Sequence, residues 1–168
     1  MQLLAERLIR AEADEATLAG WAEQLEAMVD TVGTPERRDT RDANRKLFTG
    51  KATAADIYHM MDYDPGGGPS NPIAPQVQWL QEDQDGIRGE VSLGLQYQGP
   101  PGRVHGGVIA WLLDAGLSRA LHAAFRLGVT GTLNIRYLAA TPIEAPIECR
   151  AHITCLLYTS DAADESDR

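Results

Sequence analysis

Apolar residues recur at two different periods along the chain, and each period predicts a type of element. Near the N-terminus the spacing alternates between three and four residues, which predicts one amphipathic helix over residues 2–32 that ends before Pro35. The apolar stripe of this helix comprises Leu18, Trp21, Leu25, Met28 and Val32. A stripe of this length can dimerise, but packing on the body of the same chain is the favoured interpretation.

A β-hairpin is predicted near the middle of the chain. Residues 76–82 and 87–95 flank the turn-like sequence Asp-Gln-Asp-Gly, which is typical of a connection between antiparallel strands. In the second arm Ile87, Val91, Leu93 and Leu95 alternate with polar residues or glycine, so we expect these four side chains to face the core.

One long helix and two more strands are predicted after the hairpin. Residues 106–125 are apolar almost all round, which is typical of a buried helix. Residues 132–139 and 146–154 alternate again, as strands do. A loop rich in Gly and Pro over residues 62–75 separates this part from the N-terminal helix. The order of elements favours an α+β layout with a sheet wrapped round the long helix.

Composition narrows the class of protein. The 168 residues are 43% hydrophobic and carry a formal net charge of -9, so no overall positive field favours nucleic acid or an anionic membrane. No apolar run approaches the roughly 18–20 residues of a membrane span, and charges come too early for a secretory leader. The two cysteines have no metal-ligand or disulfide spacing. We therefore expect a soluble, cytoplasmic protein without a metal.

The C-terminal sequence differs in origin from the rest. Residues 155–165, CLLYTSDAADE, match an in-frame translation of a transposase adapter that is used in shotgun DNA library preparation. We therefore expect residues 155–168 to be read-through and the native sequence to stop near Thr154, before the natural end of its domain.

A single carboxylate, Asp114, lies inside the predicted central helix. None of its neighbours at helical spacing is cationic, and Arg119 lies roughly 140° round the helix. A buried, unpaired carboxylate costs several kcal/mol, so we expect compensation elsewhere. Asp114 is then a hydrogen-bonded structural residue on a polar stripe with Ser118 and His122, an interface residue, or a general base or nucleophile.

The sequence His-Gly-Gly opens the same helix. Gly106 and Gly107 allow a ligand to approach the backbone closely, and the free N–H groups of a helix N-terminus can polarise a carbonyl. Asp114 lies nine residues after His105, roughly 13 Å along the helix. One chain therefore cannot easily direct both groups at one carbonyl, whereas a symmetric dimer with antiparallel helices can.

Two stretches together carry a resemblance to a known family. GPPGRVHGGVIAWLLDAG and GVTGTLNIRYLAATP, at residues 99–116 and 128–142, resemble the hotdog-fold thioesterases of the PaaI-like, acyl-CoA thioesterase group. The resemblance implies an α+β hotdog fold, with a curved antiparallel sheet round one central helix, over residues 62–154. Residues 1–61 are then a helical N-terminal extension. The resemblance also implies a dimer or tetramer that hydrolyses acyl-CoA without a cofactor.

The resemblance implies roles for particular residues. Asp114 is the expected nucleophile or the base that activates water, and the Gly106 N–H is expected to hold the thioester carbonyl oxygen. His105 is expected to position that loop or the substrate. Thr130 falls where the family has a Ser or Thr that orients water or the attacking group.

Further residues are assigned to the substrate or left open. Gly107 and Trp111 are the expected substrate-binding residues, and Leu112 and Met60 are further candidates for the pocket wall. Some relatives have an Asn six residues before the histidine, where this chain has Gly99, so that role is vacant or filled otherwise.

Two alternatives to hydrolysis stay open. One is a hotdog protein that binds acyl-CoA or acts as a scaffold, in which Asp114 has no chemical role. The other is a hotdog hydratase or dehydratase, which usually pairs an Asp with a His five residues later, where this chain has Arg119. The family usually continues with two more strands, so a chain that stops at Thr154 has an uncovered sheet edge and is expected to be poorly soluble or partly folded.

Overall fold

The computed structural model describes residues 2–34, 42, 45–46, 49, 51–81, 86–124 and 128–155. The predictions about Pro35, residues 83–85 of the hairpin turn, and residues 156–168 of the tail lie outside the described residues, as does the side chain of Met60. The helices and strands are α1 (Gln2–Arg10), α2 (Glu15–Val32), α3 (Ala54–Met61), β1 (Gln78–Gln81), β2 (Gly86–Ser92), a 3-10 turn (Leu95–Tyr97), α4 (Gly106–Ala123) and β3 (Pro146–His152).

The N-terminal part contains two helices, so the prediction of one helix over residues 2–32 is wrong. Asp14 is the N-cap of α2, because its carboxylate accepts the Thr17 N–H at 2.8 Å. An aspartate in this role favours the start of a new helix at Glu15. Hydrogen bonds from Thr17 lower the pKa of Asp14. Helix α1 instead contacts the body of the chain, where Arg10 pairs with Glu144.

The apolar stripe of α2 does not pack on the body of the chain as expected. No residue of α2 is buried in the described part of the chain, and Met28 is 61% exposed. Trp21 and Leu25 are half-buried beside Leu4 and Leu8 of α1, where they line a groove of about 290 Å³. Leu18, Met28 and Val32 of the predicted stripe are exposed, so the polarity pattern alone does not show whether a face is covered.

The three described strands form one antiparallel sheet in the order β1-β2-β3, which confirms the predicted hairpin and one of the two later strands. Three of the four predicted inward residues are buried: Ile87, Val91 and Leu93. The fourth, Leu95, lies in the 3-10 turn after β2 and is only half-buried. Gly89 pairs with Trp79 across the hairpin, and a Cβ at Gly89 would lie 2.6 Å from the indole ring. The absence of a side chain at Gly89 therefore lets Trp79 lie over the sheet.

Residues 132–139 do not form the predicted strand. The segment is mostly exposed and has no ladder partner among the described residues. A cleft of about 210 Å³ separates Leu133 and Ile135 of this segment from Arg150 and Ala151 of β3. Alternation alone is not sufficient for a strand, which also needs a neighbour within hydrogen-bonding distance.

Helix α4 begins at Gly106 as predicted and ends at Ala123. The expectation that this helix is buried all round is wrong, because it packs on one face of β2 and β3 and Leu117 remains 42% exposed. The buried face of the helix comprises Leu112, Ala115, Gly116 and Ala120. Opposite this face lies Cys149, whose thiol pKa is raised by burial.

Candidate active site

His105 fixes the start of α4. Its backbone is extended, and its carbonyl accepts the N–H groups of Val108 and Ile109 at 2.9 and 3.2 Å. Its side-chain Nδ1 accepts the Gly107 N–H at 3.0 Å, so in the neutral ring the proton lies on Nε2. Among the described residues the Gly106 N–H has no acceptor, whereas that of Gly107 is already engaged.

The loop before the helix holds His105 closely. The Gly99 N–H bonds to the Arg103 carbonyl and the His105 N–H to the Tyr97 carbonyl, both at 2.9 Å. A Cβ at Gly99 would lie 2.9 Å from the His105 Cα. The loop geometry therefore requires glycine here, and an asparagine in place of Gly99 does not fit without a shift of the backbone.

Tyr137 reaches the start of the helix from the segment after α4, residues 132–139. Its hydroxyl donates to the Gly106 carbonyl at 2.9 Å, and its ring lies 3.6–3.7 Å from the place of a Cβ on Gly106. Sequence reasoning missed a role for this residue, because Tyr137 lies on the same face of the predicted strand as Leu133 and Ile135 and the pattern treats all three alike. Only the tertiary contact distinguishes it from them.

Asp114 has a neutral partner. The Thr130 hydroxyl donates to the Asp114 Oδ1 at 2.7 Å, although the two residues are 16 positions apart. Asp114 is half-buried, and among the described residues it makes no ion pair. The structure therefore brings together two of the residues that the resemblance selected, and this bond supplies the compensation expected for Asp114.

The two halves of the candidate site are far apart within one chain. Gly106 and Asp114 lie eight positions apart in α4, which corresponds to about 12 Å along the helix axis. Reacting groups need a separation of about 3–3.5 Å. A single chain therefore presents a backbone donor with His105 at one place and a carboxylate with Thr130 at another.

Trp111, an expected substrate-binding residue, and Leu112, a candidate for the pocket wall, pack against different parts of the chain. Trp111 is half-buried and packs against the loop at Gly66, where a Cβ would lie 3.1 Å from the Trp111 carbonyl oxygen. Leu112 belongs to the hydrophobic core with Val91 and Cys149, so its side chain faces the sheet and does not line an open pocket.

Arg119 and His122 belong to a different part of the molecule. The Arg119 guanidinium donates to the Gly67 carbonyl at 3.0 Å and lies 5.2 Å from the Trp79 ring centroid. Burial lowers the pKa of Arg119, and burial followed by the charge of Arg119 lowers the pKa of His122. The Asp114 carboxylate accepts its hydrogen bond from Thr130 and not from Arg119 or His122.

Two features concern the described residues as a whole. They contain no group of three or more His, Cys, Asp or Glu side chains with the geometry of a metal site. Their helices include none that is both long and apolar enough to cross a membrane.

Comparisons with known proteins point to one family. The family model 4HBT, the thioesterase superfamily, matches residues 101–156. A crystal structure described as protein RHA08564, a thioesterase superfamily protein, is 30% identical, with a TM-score of 0.75 over 92% of this chain and 72% of that chain. Zebra fish thioesterase superfamily member 2 is 23% identical, with a TM-score of 0.50 over 64% of this chain and 79% of that chain. A search of curated proteins gives no match.

Proposed function

Since the chain belongs to the thioesterase superfamily, we propose that it hydrolyses acyl-CoA thioesters to the free acid and CoA at a site shared by two protomers. Membership of this family confirms the predicted α+β hotdog fold, a curved antiparallel sheet beside one central helix. The observation that carries the proposal is the 2.7 Å hydrogen bond between Thr130 and Asp114, which holds a carboxylate in a defined orientation on α4.

Asp114 acts as the base or the nucleophile. The Thr130 hydroxyl occupies Oδ1, which leaves Oδ2 to take a proton from water or to attack the thioester carbon directly. Attack breaks the carbonyl π bond and places negative charge on oxygen. Collapse then expels the CoA thiolate, which takes up a proton. If water is the attacking group, collapse gives the carboxylic acid directly; if Asp114 attacks, collapse leaves an acyl-aspartyl anhydride, which a water molecule hydrolyses to the acid and free Asp114. The products of both routes are a carboxylic acid and a thiol.

The Gly106 N–H stabilises the oxygen on which this charge develops. It is the donor at the start of α4 without an acceptor among the described residues, and the helix dipole places partial positive charge there. His105 lies beside it with its Nε2–H available to the substrate. Gly107 and Trp111 contribute to the substrate pocket through the backbone and the indole ring.

A second copy of the chain completes the site. Because Asp114 and Gly106 of one chain are about 12 Å apart, Asp114 of one protomer works with Gly106 of its partner across antiparallel α4 helices. The assembly is then a homodimer, or a dimer of dimers, with two equivalent sites for each pair. The cytoplasm is the proposed compartment.

The test is release of free thiol from a panel of acyl-CoAs, from short-chain to long-chain and phenylacetyl. We expect Asp114→Asn to lower kcat by about 10²–10⁴-fold, while binding of the same acyl-CoA persists. Ser118→Ala, one helical turn along α4, is the matched control and is expected to retain activity. Equal turnover by Asp114→Asn and the native chain would exclude Asp114 from the mechanism.

The same panel separates hydrolysis from the alternatives. A folded protein that binds acyl-CoA without releasing thiol would support a binding or scaffold role. A hydratase or dehydratase is disfavoured by geometry, because Arg119, the residue five positions after Asp114, contacts Gly67 and Trp79.

A further inference from the structure

We infer that Tyr137 is a positioning residue for His105, acting through the peptide between Gly106 and Gly107. The catalytic consequence of this inference rests on the proposed thioester hydrolysis, whereas its structural consequence does not.

One peptide unit connects the two side chains. The Tyr137 hydroxyl donates to the Gly106 carbonyl at 2.9 Å, and the Gly107 N–H donates to the His105 Nδ1 at 3.0 Å. The Gly106 carbonyl and the Gly107 N–H belong to the same planar amide. The hydroxyl, the amide and the imidazole therefore form a continuous row of hydrogen bonds.

Hydrogen bonds in such a row strengthen one another. A donor on the carbonyl polarises the amide and makes its N–H a better donor at the other end. The stronger bond to Nδ1 favours the imidazole tautomer that carries its proton on Nε2. Tyr137 thereby helps to set both the orientation of the His105 ring and the nitrogen that it presents to a substrate.

The local sequence makes an external support useful. Two consecutive glycines have wide conformational freedom, so a helix that begins with them loses more backbone entropy than one that begins with other residues. The Tyr137 ring lies 3.6–3.7 Å from the place of a Cβ on Gly106 and fills the space that a side chain would occupy. The peptide is thus held from both sides, while the neighbouring Gly106 N–H has no acceptor among the described residues.

The experiment replaces Tyr137 with phenylalanine in the full chain, which removes the hydroxyl and keeps the ring. Tyr58→Phe is the matched control, because Tyr58 is an exposed tyrosine on α3, away from α4's start. The first measurement is the ¹⁵N NMR spectrum of the His105 ring, assigned by its loss in His105→Gln. We expect a single Nε2–H tautomer in the native chain and in Tyr58→Phe, and a mixture of tautomers in Tyr137→Phe.

The second measurement is the kinetics of thioester hydrolysis. We expect Tyr137→Phe to lower kcat by about three- to tenfold, the usual effect of one hydrogen bond, with little change in KM or in the unfolding midpoint. An unchanged His105 spectrum in Tyr137→Phe would overturn the inference, whatever the kinetics. A changed spectrum in a chain without hydrolase activity would uphold the positioning role and contradict the proposed function.

Discussion

Helices α2 and α4 are both 18 residues long and mostly apolar, yet of the two only α4 has buried residues and packs on the sheet. The buried face of α4 contains the small residues Ala115, Gly116 and Ala120, which let the helix approach β2 and β3 closely. The stripe of α2 consists of large side chains and none of its residues is buried. An apolar period therefore predicts a face, whereas the size of the residues on that face decides how closely a sheet can approach it.

The two helices also begin differently. Asp14 caps α2 with a carboxylate that accepts the Thr17 N–H, which is the usual way to satisfy a helix start. His105 caps α4 through its imidazole Nδ1, and the Gly106 N–H that follows has no acceptor among the described residues. We propose that the N-terminal cap of α2 stabilises the helix, whereas the N-terminus of α4 keeps a free donor for the substrate.

Proline at the first position of each helix tests this difference and has the largest expected effect. Proline is favoured at this position and removes one N–H group. The extended backbones of Asp14 and His105 both accept a following proline. We expect Gly106→Pro to lower kcat by about 10²–10³-fold, since it deletes the donor for the developing oxyanion.

The matched variant in α2 is Glu15→Pro, for which we expect native activity. Thiol release and circular dichroism check both variants. Native turnover by a folded Gly106→Pro variant would mean that this N–H has no part in the reaction.

Glycines in the two helices give a second contrast, in the free energy of unfolding. A Cβ at Gly116 would lie 3.3 Å from the Cys149 Sγ and 3.4 Å from the Trp79 ring, whereas at Gly20 nothing lies within 4 Å. We expect Gly116→Leu to destabilise the chain by about 1–3 kcal/mol through overpacking. Gly20→Leu is expected to be neutral or to stabilise by up to about 1 kcal/mol through helix propensity. Urea unfolding measures both, and equal effects would contradict the close packing of α4 on the sheet.

The smallest expected effect concerns the cap of α2 and its dependence on pH. Because the native pKa of Asp14 is lowered from 3.8, its stabilising contribution is complete above that value and is lost as the pH falls through the lower native pKa. Asp14→Ala is expected to reduce α2 helicity near neutral pH and to remove this acid-dependent loss. An acid titration followed by circular dichroism tests the prediction. An identical titration curve for the variant and the native chain would show that the cap contributes nothing.

Much of the sheet and the central helix follows from the sequence. Alternation identified the buried positions Ile87, Val91 and Leu93, and the apolar segment after His105 identified α4. These predictions succeed because the apolar period is a local property of the sequence and marks the face of a helix or strand that packs on the core.

Other features depend on partners that are distant in sequence. The break between α1 and α2 follows from one cap at Asp14, inside an otherwise continuous apolar pattern. Residues 132–139 alternate as a strand does, but no described neighbour pairs with them. The role of Tyr137 follows from a contact across 31 positions, and no local pattern encodes such a contact.

The most direct test of the central claim mixes two inactive chains. Asp114→Asn and Gly106→Pro are co-expressed with different tags, the mixed dimers are purified, and thiol release is measured. If one protomer supplies Asp114 and its partner supplies Gly106, each mixed dimer retains one of its two sites intact, and the purified mixed dimer has about half of native activity. Activity no higher than that of the two parent variants would show that both residues act within one chain or that one of them does not act.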